Sequence, residues 1–271
     1  MNFGNILNEI EQADPEVFER TSQRRDIFKS FGAKVAVAVL PFALGSLFKK
    51  AYGKNTDAIT DVLNYALTLE YLEAEFYNKA LASAGLIPSG APNGAISTIA
   101  AHENAHVAFL KTAISGAGGT VVAKPTFDFT AGGAFPSVFS DYATFLAVAQ
   151  TFEDTGVRAY KGQAGNLITS NEVLTAALQI HSVEARHASH IRQMRKANGF
   201  GDVKPWITGK DSGIGSAVQA SYNGEEVTNQ AGVEIVGING QVISANAATE
   251  AFDEPLSKDA VLAIVKPFIV P

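Results

Sequence analysis

The sequence predicts an all-α fold: a four-helix bundle with a long crossover between helices 2 and 3, plus a C-terminal extension that carries a β-hairpin. Three observations predict it. Four segments between about residues 55 and 200 place apolar side chains at steps of three and four, the spacing that lines one face of an α-helix. Each of the four stripes is interrupted by a glutamate, and two of them by a histidine three residues after it. Beyond Gly201 the helical period disappears and turn dipeptides take over.

The stripes run Leu63, Leu67, Glu70, Ala74, Tyr77, Leu81 in the first segment and Ile99, Glu103, His106, Leu110, Ala113 in the second. The third reads Leu146, Ala149, Glu153, Val157, Tyr160, and the fourth Val173, Ala177, Ile180, Glu184, His187, Ile191, Met194. Capping residues at Thr56-Asp57 start the first helix, which runs to about Ala84 before a loop over Gly85 to Pro92. The second covers about Gly94 to Ser115 and stops at Gly116-Ala117-Gly118-Gly119. A connection of roughly 25 residues to Ser140-Asp141 follows, far longer than antiparallel neighbours need, so it reads as a crossover. Its Phe127, Phe129, Phe135 and Phe139 read as packing residues. The fourth helix opens on the capping-box pattern Thr169-Ser170-Asn171-Glu172 and closes at Asn198-Gly199. In the extension over 201–271, Asn239-Gly240 between Val233–Ile238 and Gln241–Ser244 reads as a type I′ hairpin, and Asp259 to Val265 as a short helix or an apolar strand. The extension is expected to pack on the bundle or on an adjoining subunit.

Residues 1–54 form a leader. An acidic start leads to Gln23-Arg24-Arg25-Asp26-Ile27-Phe28-Lys29, similar to a twin-arginine export signal, and an apolar run from Val35 to Phe48 follows. The run is broken by Pro41 and is too short to span a membrane, though long enough for a signal-peptide core. No small-x-small cleavage site precedes Lys54, and Lys34 sits early in the apolar run. Two expectations stand: export to the periplasm, with the membrane met only in transit, or a cytoplasmic protein whose N-terminal helix packs on the bundle or on a partner.

Composition removes several function classes. With 271 residues, a net charge of −6 and a pI near 5.4, the chain has no basic stripe of the size nucleic acid requires. Cysteine is absent, which excludes disulfides, thiolate catalysis and Fe–S or cysteine-zinc sites.

The chemistry rests on the glutamates and histidines. Glu103-Asn104-Ala105-His106 and Glu184-Ala185-Arg186-His187 each put a carboxylate and an imidazole a turn apart on one helix face. Composition alone gives roughly 0.3 such pairs, and a spacing seen twice at bundle positions calls for a cause. Ionised groups on a core face are costly unless paired or bound to metal. A shared metal site removes that cost; a bundle whose buried glutamates and histidines merely bond one another is the alternative.

The order Glu, Glu-x-x-His, Glu, Glu-x-x-His resembles the pattern of ferritin-like di-iron or di-manganese carboxylate bundles. Over roughly residues 55 to 200 the chain resembles the ferritin-like domain family that includes plant desiccation-related proteins and exported bacterial proteins. The resemblance implies that Glu70, Glu103, His106, Glu153, Glu184 and His187 ligate two Fe or two Mn ions, with carboxylates such as Glu103 and Glu184 bridging. Hard oxygen and imidazole donors suit Fe or Mn, and such a pair can share two-electron chemistry with O₂ or peroxide. The expected function is therefore a ferroxidase, peroxidase-like or catalase-like oxidoreductase in stress protection. Metal storage, and a structural desiccation or stress protein with a vestigial site, are the alternatives. Self-association into a homo-oligomer stays open.

The two helix pairs also look like an internal repeat: Tyr77 and Tyr160 each lie seven residues after the lone glutamate of their stripe. Each is expected either to bond a ligand carboxylate or to take part in one-electron chemistry, with an ordinary core tyrosine as the alternative. His102, His181 and His190 are expected beside the ligands or on the surface. Symmetry breaks at one place, where Glu73 follows Glu70 by a turn while Gly156 holds the matching position after Glu153. Glu73 is expected as an exposed acid, with an extra ligand as the other reading.

Overall fold

The computed structural model describes residues 56–271, so the expected leader over 1–54 lies outside the described residues. Helices α1 (Thr56–Ala82), α2 (Ala91–Gly116), α3 (Tyr142–Ala164) and α4 (Asn171–Ala197) form the bundle. They pack as two hairpin pairs, α1 on α2 and α3 on α4. The core follows the predicted stripes: Leu63, Leu67, Ile99, Leu110, Leu146, Ala149, Val173, Ile180 and Ile191 are all buried. At about 1.5–3 kcal/mol for each large apolar side chain taken from water, these stripes carry most of the bundle's cohesion.

Local chemistry sets the helix ends. Helix α2 starts inside the expected loop, at Ala91, because Pro92 falls in the first turn where a missing N–H costs nothing. Its end and that of α4 use the same device. Gly118 and Gly199 take positive φ, and the next residue's N–H reaches back to Ile114 and Arg195 respectively. The Asp141 carboxylate caps α3 by accepting from Thr144 N at 2.7 Å. At α4 the expected capping box does not form. Ser170 is the N-cap, one residue late, so Glu172 is not placed to bond back, and the Ser170 hydroxyl caps nothing.

The crossover between α2 and α3 runs across the bundle and is sewn to the C-terminus. Asp128 N donates to Phe268 O at 2.9 Å and Val270 N to Thr126 O at 2.9 Å. Its phenylalanines pack, as expected: Phe129 lies 5.4 Å from Phe76, centroid to centroid, and Phe135 stacks on Phe268 at 6.2 Å.

The extension does contain an antiparallel hairpin, but it sits earlier than Asn239-Gly240. Strands β1 (Asn229–Gln230) and β2 (Val233–Glu234) pair around Ala231 and Gly232, both at positive φ, the backbone of a type I′ turn. Asn239 and Gly240 instead belong to a 3₁₀ turn, Ile238–Gly240. Val233, Val236 and Val242 are all exposed, so no buried face fixes a longer register. Two short helices follow, α5 (Ala245–Thr249) and α6 (Lys258–Val265), each capped by a serine.

The extension covers the outer side of α3, which is buried almost all round from Phe145 to Tyr160. Arg158 is 1% exposed and donates to Ser221 O, Asn223 O and Glu254 O at 2.5, 2.9 and 2.8 Å, with Glu225 paired at 2.6 Å. Arg192 of α4 grips Asp154 with Nε at 3.1 Å and Nη2 at 2.5 Å, and Tyr222 OH donates to the same carboxylate at 2.7 Å. These contacts satisfy buried charges that would otherwise cost several kcal/mol. Where the extension meets α3 most closely, at Gly162, an added Cβ would fall 1.9 Å from Leu256 O, backbone that has nowhere to go. Gly162→Ala is therefore expected to destabilise by about 1–3 kcal/mol, lowering the thermal midpoint by several degrees. Gly165→Ala, which meets nothing within 4 Å, is the control and is expected to be neutral or slightly stabilising in the same circular-dichroism melt.

Candidate metal centre

Midway along the bundle the four interrupted stripes meet. Glu70 of α1, Glu103 of α2, Glu153 of α3 and Glu184 of α4 are each 0% exposed, and His106 and His187 are 9% and 5% exposed. Their donor atoms form two overlapping groups: Glu70, Glu103, His106 and Glu184 in one, and Glu103, Glu153, Glu184 and His187 in the other. Within each group one ligand atom per residue lies within 4.8 Å of all the rest, close enough to hold a metal ion. Glu103 and Glu184 are common to both groups. All six residues singled out in the sequence are thus brought together.

The distances are those of ligands around a cation. His106 Nδ1 stands 3.1 Å from Glu70 Oε2, 3.1 Å from Glu103 Oε2 and 3.1 Å from Glu184 Oε1. One ring nitrogen carries at most one proton, so it cannot bond three carboxylates from three helices well at once. His187 Nδ1 likewise faces Glu103 Oε1 at 2.8 Å, Glu153 Oε2 at 3.3 Å and Glu184 Oε2 at 3.8 Å. Although near, these atoms are not aligned for hydrogen bonding. Glu103 Oε1, Glu153 Oε2, both oxygens of Glu184 and His187 Nδ1 are buried with no hydrogen-bond partner. Orphaned acceptors in a dry core are expensive, and a bound cation is what satisfies several at one point. The oxygen and imidazole donor set therefore fits a hard or borderline metal ion.

Charge in the cluster follows from burial. Burial, with neighbouring Glu184 and Glu70 opposing the pull of the two imidazoles, pushes Glu103 up to about 7. Burial and the other carboxylates hold Glu153 well above its usual range against His187. Glu184 goes the other way: burial works against it, but His106 and His187 on either side pull it down to about 2. His187, penalised by burial yet surrounded by Glu153, Glu103 and Glu184, rises to about 12.

Tyr77 OH donates to Glu153 Oε1 at 2.5 Å, and Tyr160 OH donates to Glu70 Oε1. The tyrosine of α1 thus holds the lone glutamate of α3 and the tyrosine of α3 that of α1, so of the expected roles each tyrosine bonds a carboxylate of the cluster. Each bond engages one carboxylate oxygen, leaving the other for the centre. His102 Nδ1 lies 2.9 Å from His187 Nε2 with the rings stacked at 5.2 Å, which fixes His187 with Nδ1 inward. His181 Nδ1 faces Val157 O at 3.0 Å, and His190 is exposed.

Glu73 differs from the expectation of an exposed acid. It is 3% exposed, and burial together with Glu184, Glu153, Glu103 and Glu70 drives its carboxyl well above the normal range. The reason is Gly156: a Cβ there would lie 3.3 Å from Glu73 Oε1 and 3.7 Å from Glu184 Oε2, so the missing side chain makes room for the fifth acid. Sequence reasoning had both residues in view but not their meeting across the bundle. Asp154, Arg192 and Tyr222, which buttress the back of α3, were missed because a helix pattern of Asp and Arg reads as a solvated face.

A family model described as ferritin-like domain matches residues 58–197, just over half of the chain. No curated protein matches it.

The carboxyl shifts set a sign for stability without metal. Glu103 has a folded value raised to about 7, so its contribution is fully present below the unfolded value near 4.5 and is lost as pH rises through 7; Glu73 and Glu153 act in the same direction. Glu184, at about 2, is charged in both states above 4.5 and adds no slope there, whereas His187, raised to about 12, stays charged in the fold while its unfolded form deprotonates above about 6.5, so its contribution also declines as pH rises. The thermal midpoint of chelator-treated protein is therefore expected to fall between pH 4.5 and 8, and added Mn(II) to raise it most at the upper end. A flat profile with no Mn(II) effect would contradict the cluster's electrostatics.

Proposed function

Because the chain belongs to the ferritin-like domain family, we propose that it binds a dinuclear Fe or Mn centre and acts as an oxidoreductase toward O₂ or peroxide in stress protection. The observation that carries this reading is the set of buried, partnerless donor atoms on Glu103, Glu153, Glu184 and His187, aimed at common points in the core. Glu103 and Glu184, common to both ligand groups, would help hold both ions, Glu70 with His106 would complete the hold on one, and Glu153 with His187 on the other. Bound there, the two ions would supply two-electron exchange with the oxidant.

The chain's own residues set the conditions. Tyr77 and Tyr160 hold the terminal carboxylates in place, and burial followed by the adjacent Glu153 and Glu70 keeps their phenols protonated. His102 orients His187. Apolar rings around Phe76 exclude water from the α1–α3 side of the cluster. Export through the Arg24-Arg25 signal belongs to the same reading, since twin-arginine export carries folded proteins.

Elemental analysis of protein purified without added metal tests the centre. About two Fe or Mn per chain are expected, falling to near zero in a Glu103→Ala, Glu184→Ala double variant, together with Fe(II) oxidation or peroxide consumption by the wild type alone. Negligible metal even after anaerobic Fe(II) or Mn(II) loading would leave the vestigial-site alternative standing. N-terminal sequencing of the native protein is expected to begin beyond the Val35–Phe48 run; a start near Met1 would contradict cleaved export.

A further inference from the structure

The two halves of the cluster are not alike. The repeat that matches Glu103-x-x-His106 with Glu184-x-x-His187 breaks one residue before each of them: His102 precedes Glu103, whereas Val183 precedes Glu184. His102 reaches from α2 to the histidine of α4, its Nδ1 2.9 Å from His187 Nε2 with the two rings within 13° of parallel. Val183 has no nitrogen or oxygen in its side chain to return the contact. Among the described residues nothing bonds His106 Nε2; that ring meets Glu70, Glu103 and Glu184 through Nδ1 alone.

The difference bears on metal affinity. An imidazole that gives Nδ1 to a cation keeps its proton on Nε2, and that N–H needs an acceptor. His102 Nδ1 supplies one for His187, which fixes the angle of the ring and makes Nδ1 the better donor. His106 has no such support. A second asymmetry lies on the same side: Glu73 has no counterpart on α3, where Gly156 stands. A Cβ on Gly156 would lie 3.3 Å from Glu73 Oε1 and 3.7 Å from Glu184 Oε2, the Glu184 oxygen that faces His187. Of the four other glutamates of the cluster, Glu184 and Glu153 act on Glu73 most strongly and Glu70 least, so its carboxyl oxygens favour a cation beside Glu153 and His187 over one beside Glu70 and His106.

We infer, on the metal-binding reading proposed above, that the two positions are unequal: the group Glu103, Glu153, Glu184 and His187 takes its ion first and holds it more tightly, with His102 as the positioning residue that sets the order. Glu103 and Glu184 are common to both groups, so the first ion draws on donors that the second also needs and widens the gap. The group that contains Glu70 and His106 is therefore the exchangeable position.

The test is a Zn(II) titration of the full chain, followed by calorimetry and by nitrogen NMR of the histidine rings; Zn(II) takes carboxylate and imidazole donors and, with a filled d shell, does not broaden the spectra. Wild type is expected to bind in two steps, the first shifting His187 Nδ1 and the second His106 Nδ1. His102→Ala should weaken the first step about tenfold, the low end of what losing such a partner costs, and the first ion should then spread over both histidines. Helical content is the check on folding. His102→Gln, whose side-chain oxygen can accept from His187, should recover most of the order, and Val183→Ala should change neither step. A first ion shared equally by both histidines in wild type, or seated at His106, overturns the inference, as does a His102→Ala protein that fills in the wild-type order at wild-type affinity. A wild type that takes up no Zn(II) overturns the metal-binding reading as well, so the two failures are told apart.

Discussion

Five carboxyl groups and two imidazoles share the buried middle of this bundle, and the rest of the structure is arranged around the cost of keeping them there. Glu70, Glu73, Glu103, Glu153 and Glu184 are each 3% exposed or less. Like charges this close raise one another's pKa, as Glu73, Glu103 and Glu153 show, and burial adds to the effect. The surrounding carboxylates favour the charged form of both histidines, which offsets part of the charge. The imidazoles do not satisfy the geometry, because one Nδ1 facing three oxygens can serve only one of them well. A bound metal ion would satisfy charge and valence together, which is why the six donors fit a metal site better than a hydrogen-bonded network.

Holding that arrangement requires every helix to be fixed from behind. Inside, the crossed bonds from Tyr77 to Glu153 and from Tyr160 to Glu70 tie α1 to α3 across the cluster. Outside, α4 supplies Arg192 to Asp154 and the extension wraps α3 so that Asp154 and Arg158, next to the ligand face, find Tyr222, Glu225 and backbone carbonyls. The extension thereby contributes to the site without touching it. It makes α3 an interior helix, buried on the ligand side and on the opposite side, and an interior helix cannot rotate its glutamate away from the centre.

Much of this was legible in the sequence, for a physical reason. Helical period and the Glu-x-x-His spacing are local, so Glu103 with His106 and Glu184 with His187 announce their shared faces within four residues. The tyrosines were visible because they repeat the position of their stripe. What could not be read depends on meetings between distant segments. Glu73 is buried because Gly156 lies opposite it, and Arg158 because residues 221 to 254 return over α3. The hairpin of the extension formed around Ala231-Gly232 because, with the flanking valines exposed, nothing buried selected the stronger-looking Asn239-Gly240 turn.

The most direct measurement of the central claim is anomalous diffraction at the Mn edge from crystals grown with Mn(II). Two peaks inside the bundle, both within bonding distance of Glu103 and Glu184, one beside Glu70 and His106 and the other beside Glu153 and His187, are the predicted result. A single peak, or peaks confined to surface carboxylates with the buried cluster empty, would contradict the account.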